Sequence, residues 1–317
     1  MARYFPPANW CCPVTDLAVP LGLGLALKNP VMVASGTFGY GDEVADLLDY
    51  NELGGLVTKS ISLEPRDGHP PPRICETPAG MLNAIGWANM GVEAFCRDNL
   101  PFLAGLRTAV FVSVAGSSQA EYAHVIEAVE RSALEIAGYE INISCPHVDK
   151  GGLEFGVSPE ETEKLTSRLR AATERYLIVK LSPNVTDIGE IAQAAERGGA
   201  DAVSAINTVI GMDLDPATGK FKVQTGLCGL SGPAIRPIAL ANVYKVAQAV
   251  SIPVIGMGGI MSVEDVVRFI RVGAQAVQIG TANYRDPRIG LQIARELPGY
   301  LAKIDAPGLE EIRGSAH

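Results

Sequence analysis

Cys145 stands in Asn142-Ile143-Ser144-Cys145-Pro146, just past a short apolar run, with Gly151-Gly152 close behind. A free thiol titrates at about 8.5 and can be tuned downward, so a Cys placed on a loop can act as a general base near neutral pH. The commoner fate of a free Cys is a small buried apolar group. The loop setting separates Cys145 from Cys11, Cys12, Cys75, Cys96 and Cys228. Further polar or small residues recur where apolar runs end: Ser35-Gly36, Lys59-Ser60, Asn142, Lys180 and Asn207-Thr208. One lysine at such a place is ordinarily solvated or ion-paired. Two lysines, two amides and a thiol gathered on one rim must satisfy something. Gly256-Met257-Gly258-Gly259 and Gly280-Thr281 follow two later runs, and backbone N–H groups at such turns can face a phosphate.

These residues converge only if the intervening elements bring them together. Apolar, β-branched runs at 31–34, 55–58, 110–114, 140–143, 177–181, 202–206, 253–256 and 276–280 read as buried strands. Between them lie helical patterns, among them 119–136, 187–197, 234–250 and 262–272, and Ser158-Pro159-Glu160-Glu161 is a helix start. Near-continuous apolar strands alternating with helices mean a parallel sheet covered by helices, and about eight such units predict a closed TIM (β/α)₈ barrel. In that fold the chemistry gathers at the carboxyl ends of the strands, with phosphate held near the seventh and eighth. Residues 16–27 read as an N-terminal hairpin beneath the barrel. Residues 211–232 read as a small insertion after the sixth strand, a short strand pair over the mouth. No repeat or linker interrupts residues 1–317, which predicts a single domain.

Composition narrows the partners. An apolar fraction of 47% fits a soluble globular chain, and a net charge of −9 leaves no excess of cations to neutralise nucleic-acid phosphates. Six scattered cysteines without a C-x-x-C pair predict a reducing cytoplasm, with no disulfide scaffold and no metal site. Residues 1–14 lack a signal-peptide pattern, and the longest apolar stretch, 100–116, is broken by Arg107, so no membrane partner is expected.

The chain resembles the dihydroorotate dehydrogenases, in particular the NAD-linked type 1B catalytic subunits. The likeness runs through Ala34-Ser35-Gly36-Thr37-Phe38-Gly39-Tyr40-Gly41, Thr58-Lys59-Ser60-Ile61-Ser62-Leu63-Glu64-Pro65 and Glu76-Thr77-Pro78-Ala79-Gly80-Met81-Leu82-Asn83-Ala84-Ile85-Gly86. It continues in Asn142-Ile143-Ser144-Cys145-Pro146, in Val179-Lys180-Leu181-Ser182-Pro183-Asn184 and in Gly229-Leu230-Ser231-Gly232-Pro233. The resemblance implies oxidation of dihydroorotate to orotate for pyrimidine biosynthesis, with Cys145 taking the C5 proton and FMN the C6 hydride. Lys59 and Lys180 would stabilise charge on the reduced ring, Lys59 also facing the substrate. Ala34, Ser35, Ser60, Asn142, Ile206 and Gly232 would hold the flavin, and Gly258, Gly259, Gly280 and Thr281 its phosphate end. Asn83, Ala84, Ile85, Gly86 and Trp87 would line the substrate site, joined by Asn142, His147, Asn207 and Thr208. The resemblance also implies a catalytic homodimer flanked, in a heterotetramer, by a subunit carrying FAD and an iron–sulfur cluster.

The pattern breaks in three places. His147 stands where the family usually has Asn, Trp87 where Leu is common, and Ser113 where Asn usually precedes Val-Ala-Gly. A Ser-Cys-Pro-His run resembles dihydropyrimidine dehydrogenases, which act on uracil and thymine, and this is the alternative reading. The role given to Cys145 has a direct check. Cys145→Ala is expected to keep FMN and lose most anaerobic flavin reduction; undiminished bleaching in a stopped-flow trace would assign the base elsewhere.

Overall fold

The computed structural model describes residues 16–144 and 155–316. Cys11 and Cys12, the whole segment 1–14, and the stretch with Cys145, His147 and Gly151-Gly152 lie outside the described residues. Eight parallel strands close into a barrel: Val31–Val33, Gly55–Val57, Ala109–Val114, Gly138–Asn142, Tyr176–Leu181, Ala202–Ala205, Val254–Met257 and Ala276–Ile279. They follow the chain order around the ring, and the sixth pairs with both the fifth and the seventh. Each coincides with a run that the apolar pattern predicts. Burial on both faces explains that pattern, because one face packs on helices and the other fills the interior.

The outer helices start where side chains can take up free N–H groups. Ser118 accepts from Glu121 N at the head of Gln119–Arg131, Ser158 from Glu161 N before Pro159–Arg170, and Asp187 from Gly189 N before Ile188–Arg197. Arg236–Ala249, Val263–Arg271 and Ile289–Lys303 complete the later part of the ring. The third-to-fourth-strand helix stops at Arg131, short of the expected 136. Ser132 Oγ donates back to Val129 O, and Ala133 turns at φ 54°, so the chain leaves the helix early to enter the strand at Gly138.

The hairpin of Val19–Gly22 with Leu25–Leu27 buries Leu21 and Leu27. Tyr176, which opens the fifth strand, donates its hydroxyl to Leu21 O at 2.7 Å, so the hairpin sits at the amino ends of the strands as expected. The insertion after the sixth strand is larger than its sequence suggests. Val209–Gly211 pairs with Cys228–Ser231, starting two residues before 211, and a second hairpin, Ile74–Thr77 with Gly80–Asn83, joins it in a four-stranded antiparallel sheet. That second hairpin escapes a reading by periodicity because its strands are only four residues each and largely half exposed.

Candidate active site

A cavity of about 530 Å³ opens at the carboxyl ends of the barrel strands, within the range of small-molecule and cofactor sites. The turns after the first, sixth, seventh and eighth strands supply Ala34-Ser35, Ile206 with Asn207-Thr208, Gly258-Gly259 and Gly280-Thr281 to its wall. Lys180 reaches it from the fifth strand. The four-stranded sheet adds Met81, Asn83 and Ser231, Gly232 follows its last strand, and Ile85 follows its second hairpin. Lys59, Ser60, Asn142, Ala84, Gly86 and Trp87 are not in the wall itself.

Of these six, Asn142 is hydrogen-bonded to a residue of the wall. Asn142 Oδ1 accepts from Asn207 Nδ2 at 3.2 Å, which aims the Asn207 amide, while Asn207 Oδ1 accepts from Thr208 N at 2.9 Å. Asn83 Nδ2 reaches Gly229 O at 3.3 Å. Ser60 Oγ is hydrogen-bonded to Ser113 Oγ at 2.8 Å, so the serine that replaces the usual Asn is fully buried and engaged there. Lys59 is half-buried, its N–H donating to Gly39 O and its ammonium 6.0 Å from the Tyr40 ring. Burial lowers its pKa from the ordinary lysine value; the charge of Glu43 opposes this and that of Arg73 adds to it. Trp87 turns at φ 57° and stacks on the Arg66 guanidinium at 5.1 Å. His147 lies outside the described residues, so the third departure has no position here.

Two acids that spacing does not single out shape the site. Glu140, in the fourth strand, is completely buried inside the barrel. Its carboxylate takes Lys180 Nζ at 3.3 Å, Ser204 Oγ at 3.0 Å and Gln278 Nε2 at 2.7 Å. Breaking a buried ion pair by removing one partner costs about 3–5 kcal/mol, so the lysine is held firmly. A charged residue inside an otherwise apolar strand was the available signal. Asp265, also buried, accepts from Met261 N at 3.0 Å and binds Arg236 and Arg268 at 2.8 and 2.7 Å. It thereby ties the turn after the seventh strand to two helices. Asn283 similarly joins the Thr37 hydroxyl to the turn Thr281–Tyr284.

A flavin mononucleotide fits what is present. Gln278 borders the cavity, and with Nε2 committed to Glu140 its carbonyl Oε1 is buried with no partner, an acceptor awaiting a donor. One residue beyond Met257, which pairs in register with Gln278, Gly258 turns at φ 125°, where a Cβ would come within 2.7 Å of Ala239 Cβ, so bare backbone faces the cavity. Among the described residues no group of His, Cys, Asp or Glu could hold a metal ion.

The family model described as dihydroorotate dehydrogenase matches residues 19–301. The catalytic subunit of dihydroorotate dehydrogenase B (NAD(+)) from Thermoanaerobacter sp. (strain X514) is 48% identical over 302 residues, covering 95% of this chain and 98% of the relative. Its counterpart from Bacteroides thetaiotaomicron is 46% identical, covering 95% and 99%. A putative dihydroorotate dehydrogenase A (fumarate) of Solibacter usitatus is 50% identical over 280 residues, covering 88% and 92%. The crystal structure of the enzyme of Eimeria tenella with ferulenol superposes with a TM-score of 0.80 at 20% identity, covering 95% and 88%, which shows a shared fold.

Two measurements follow from this geometry. Gly258→Ala strains the turn by about 1–3 kcal/mol, and FMN affinity is expected to drop by about tenfold or more, as read by fluorescence titration of the apoprotein. An unchanged affinity would remove this turn from the ligand site. Because its pKa is lowered, Lys59 loses its charge at a pH below the ordinary lysine value. Orotate affinity, followed by flavin absorbance, is expected to fall as pH rises through that point, and Lys59→Met to abolish the transition.

Proposed function

Since the chain belongs to the dihydroorotate dehydrogenase family, we propose that it oxidises dihydroorotate to orotate in pyrimidine biosynthesis as an FMN-dependent enzyme. One observation carries the reading: a single cavity brings Lys180, Asn83, Asn207 and Thr208 together with the glycine turns after the seventh and eighth strands. Amides and a hydroxyl match the alternating donors and acceptors of a pyrimidine edge, and the lysine ammonium adds a further donor. FMN supplies the hydride acceptor for C6. Cys145 takes the C5 proton, Lys59 faces the anionic substrate, and Asn207, aimed by Asn142, holds the ring in plane. His147 completes the substrate contacts, and Ala84, Ile85, Gly86 and Trp87 form the segment that borders them.

The electrons pass to NAD through a partner subunit that carries FAD and an iron–sulfur cluster. Relatives such as the Thermoanaerobacter protein, the catalytic subunit of an NAD(+)-type enzyme, support NAD as acceptor and a partner subunit. A catalytic homodimer within a heterotetramer is the assembly we propose, in the cytoplasm. Among the described residues no helix is long and apolar enough to cross a membrane. The single FMN domain spans residues 1–317 in this reading.

A second reading, a dihydropyrimidine dehydrogenase acting on uracil or thymine, rests on His147 after Ser144-Cys145-Pro146. Anaerobic mixing separates the two. Dihydroorotate is expected to bleach the flavin and dihydrouracil to leave it oxidised; bleaching by dihydrouracil alone would transfer the assignment to the second reading.

A further inference from the structure

Below the cavity floor, three even-numbered barrel strands place polar side chains where interiors of this fold are mostly apolar. Glu140 comes from the fourth, Ser204 from the sixth and Gln278 from the eighth. All three are fully buried. Lys180, in register with Asn142 and Ser204 on the strands either side, is the cation that Glu140 binds. Its side chain is 8% exposed, and it borders the cavity while holding the carboxylate.

Such a layer is not explained by stability. Apolar residues of similar volume commonly replace a buried ion pair with no loss, because desolvating two charges offsets most of their attraction. The layer does place two groups at the cavity's edge in fixed poses. The ammonium of Lys180 is drawn to Glu140 Oε1, and the Gln278 amide is oriented by Oε2 so that its oxygen stays unpartnered. Resting on the flavin reading above, we propose that Glu140 is a positioning residue that balances the charge of Lys180 and so sets the reduction potential of the bound flavin. Reduction places negative charge on the ring system, and a cation beside it favours the reduced form. A carboxylate 3.3 Å from that cation cancels much of the field, and in a buried site neither charge is screened by water. Glu140 therefore keeps the potential below the value that Lys180 alone would impose, which eases electron release after each turnover.

The test compares wild type, Glu140→Gln, Lys180→Met and the double variant, each loaded with FMN, by midpoint potential in anaerobic dye equilibration rather than by turnover. Glu140→Gln is expected to lie above wild type and Lys180→Met below it, with the double variant close to wild type. Either single variant leaves a buried charge unpaired and can fail to fold. The double variant leaves none, and a potential well below wild type there would mean that Lys180 acts uncancelled, which overturns the proposal. Equal potentials for Glu140→Gln and wild type, or for Lys180→Met and the double variant, overturn it as well. Wild-type protein that takes up no FMN would instead overturn the flavin reading on which this one stands.

Discussion

A closed ring of parallel strands imposes one constraint from which most of this molecule follows. Every strand runs the same way, so every carboxyl end emerges on one rim, and residues separated by more than two hundred positions become neighbours there. Ser35 and Thr281 share a cavity wall for this reason. The ring also satisfies its own backbone, since the sixth strand pairs on both sides and no edge is left open. The rim is then free to carry irregular turns whose polar groups face a ligand.

The same closure creates an interior that has to be filled, and here its filling is not uniform. Met32, in register with Gln278, and Ile178, two residues before Lys180, are its apolar content. Near the rim the filling changes to Glu140, Ser204 and Gln278, a polar layer whose members satisfy one another. Their partner Lys180 belongs both to this layer and to the cavity, so it couples the packing of the barrel to the electrostatics of the site.

Outside the ring, two segments distant in sequence cooperate. The hairpin after the second strand and the strand pair after the sixth form one sheet, with Leu82 facing Leu230 in register. Close crossing of their backbones demands small residues: a Cβ on Gly232 would come within 2.7 Å of Gly80 Cα. The sheet contributes Met81, Asn83 and Ser231 to the wall, which a minimal barrel would leave open. Part of the cavity wall thus sits on an addition to the barrel, while the glycine turns sit on the barrel itself.

The eight strands and most helix starts are legible in the chain because burial on two faces and side-chain caps are local properties, written in neighbouring residues. The glycine turns after the seventh and eighth strands are legible for the same reason. Pairings across the fold are not local. That Glu140 binds Lys180, that Asp265 anchors the turn at Met261, and that the 74–83 hairpin completes the insertion sheet depend on which residues closure brings within a few ångströms. The residue types alone thus determined the fold class and the catalogue of chemical groups on one rim. Only the tertiary structure decided which of those groups meet the cavity and which are held by one another, because a side chain's partner is set by distance in space and not by spacing along the chain.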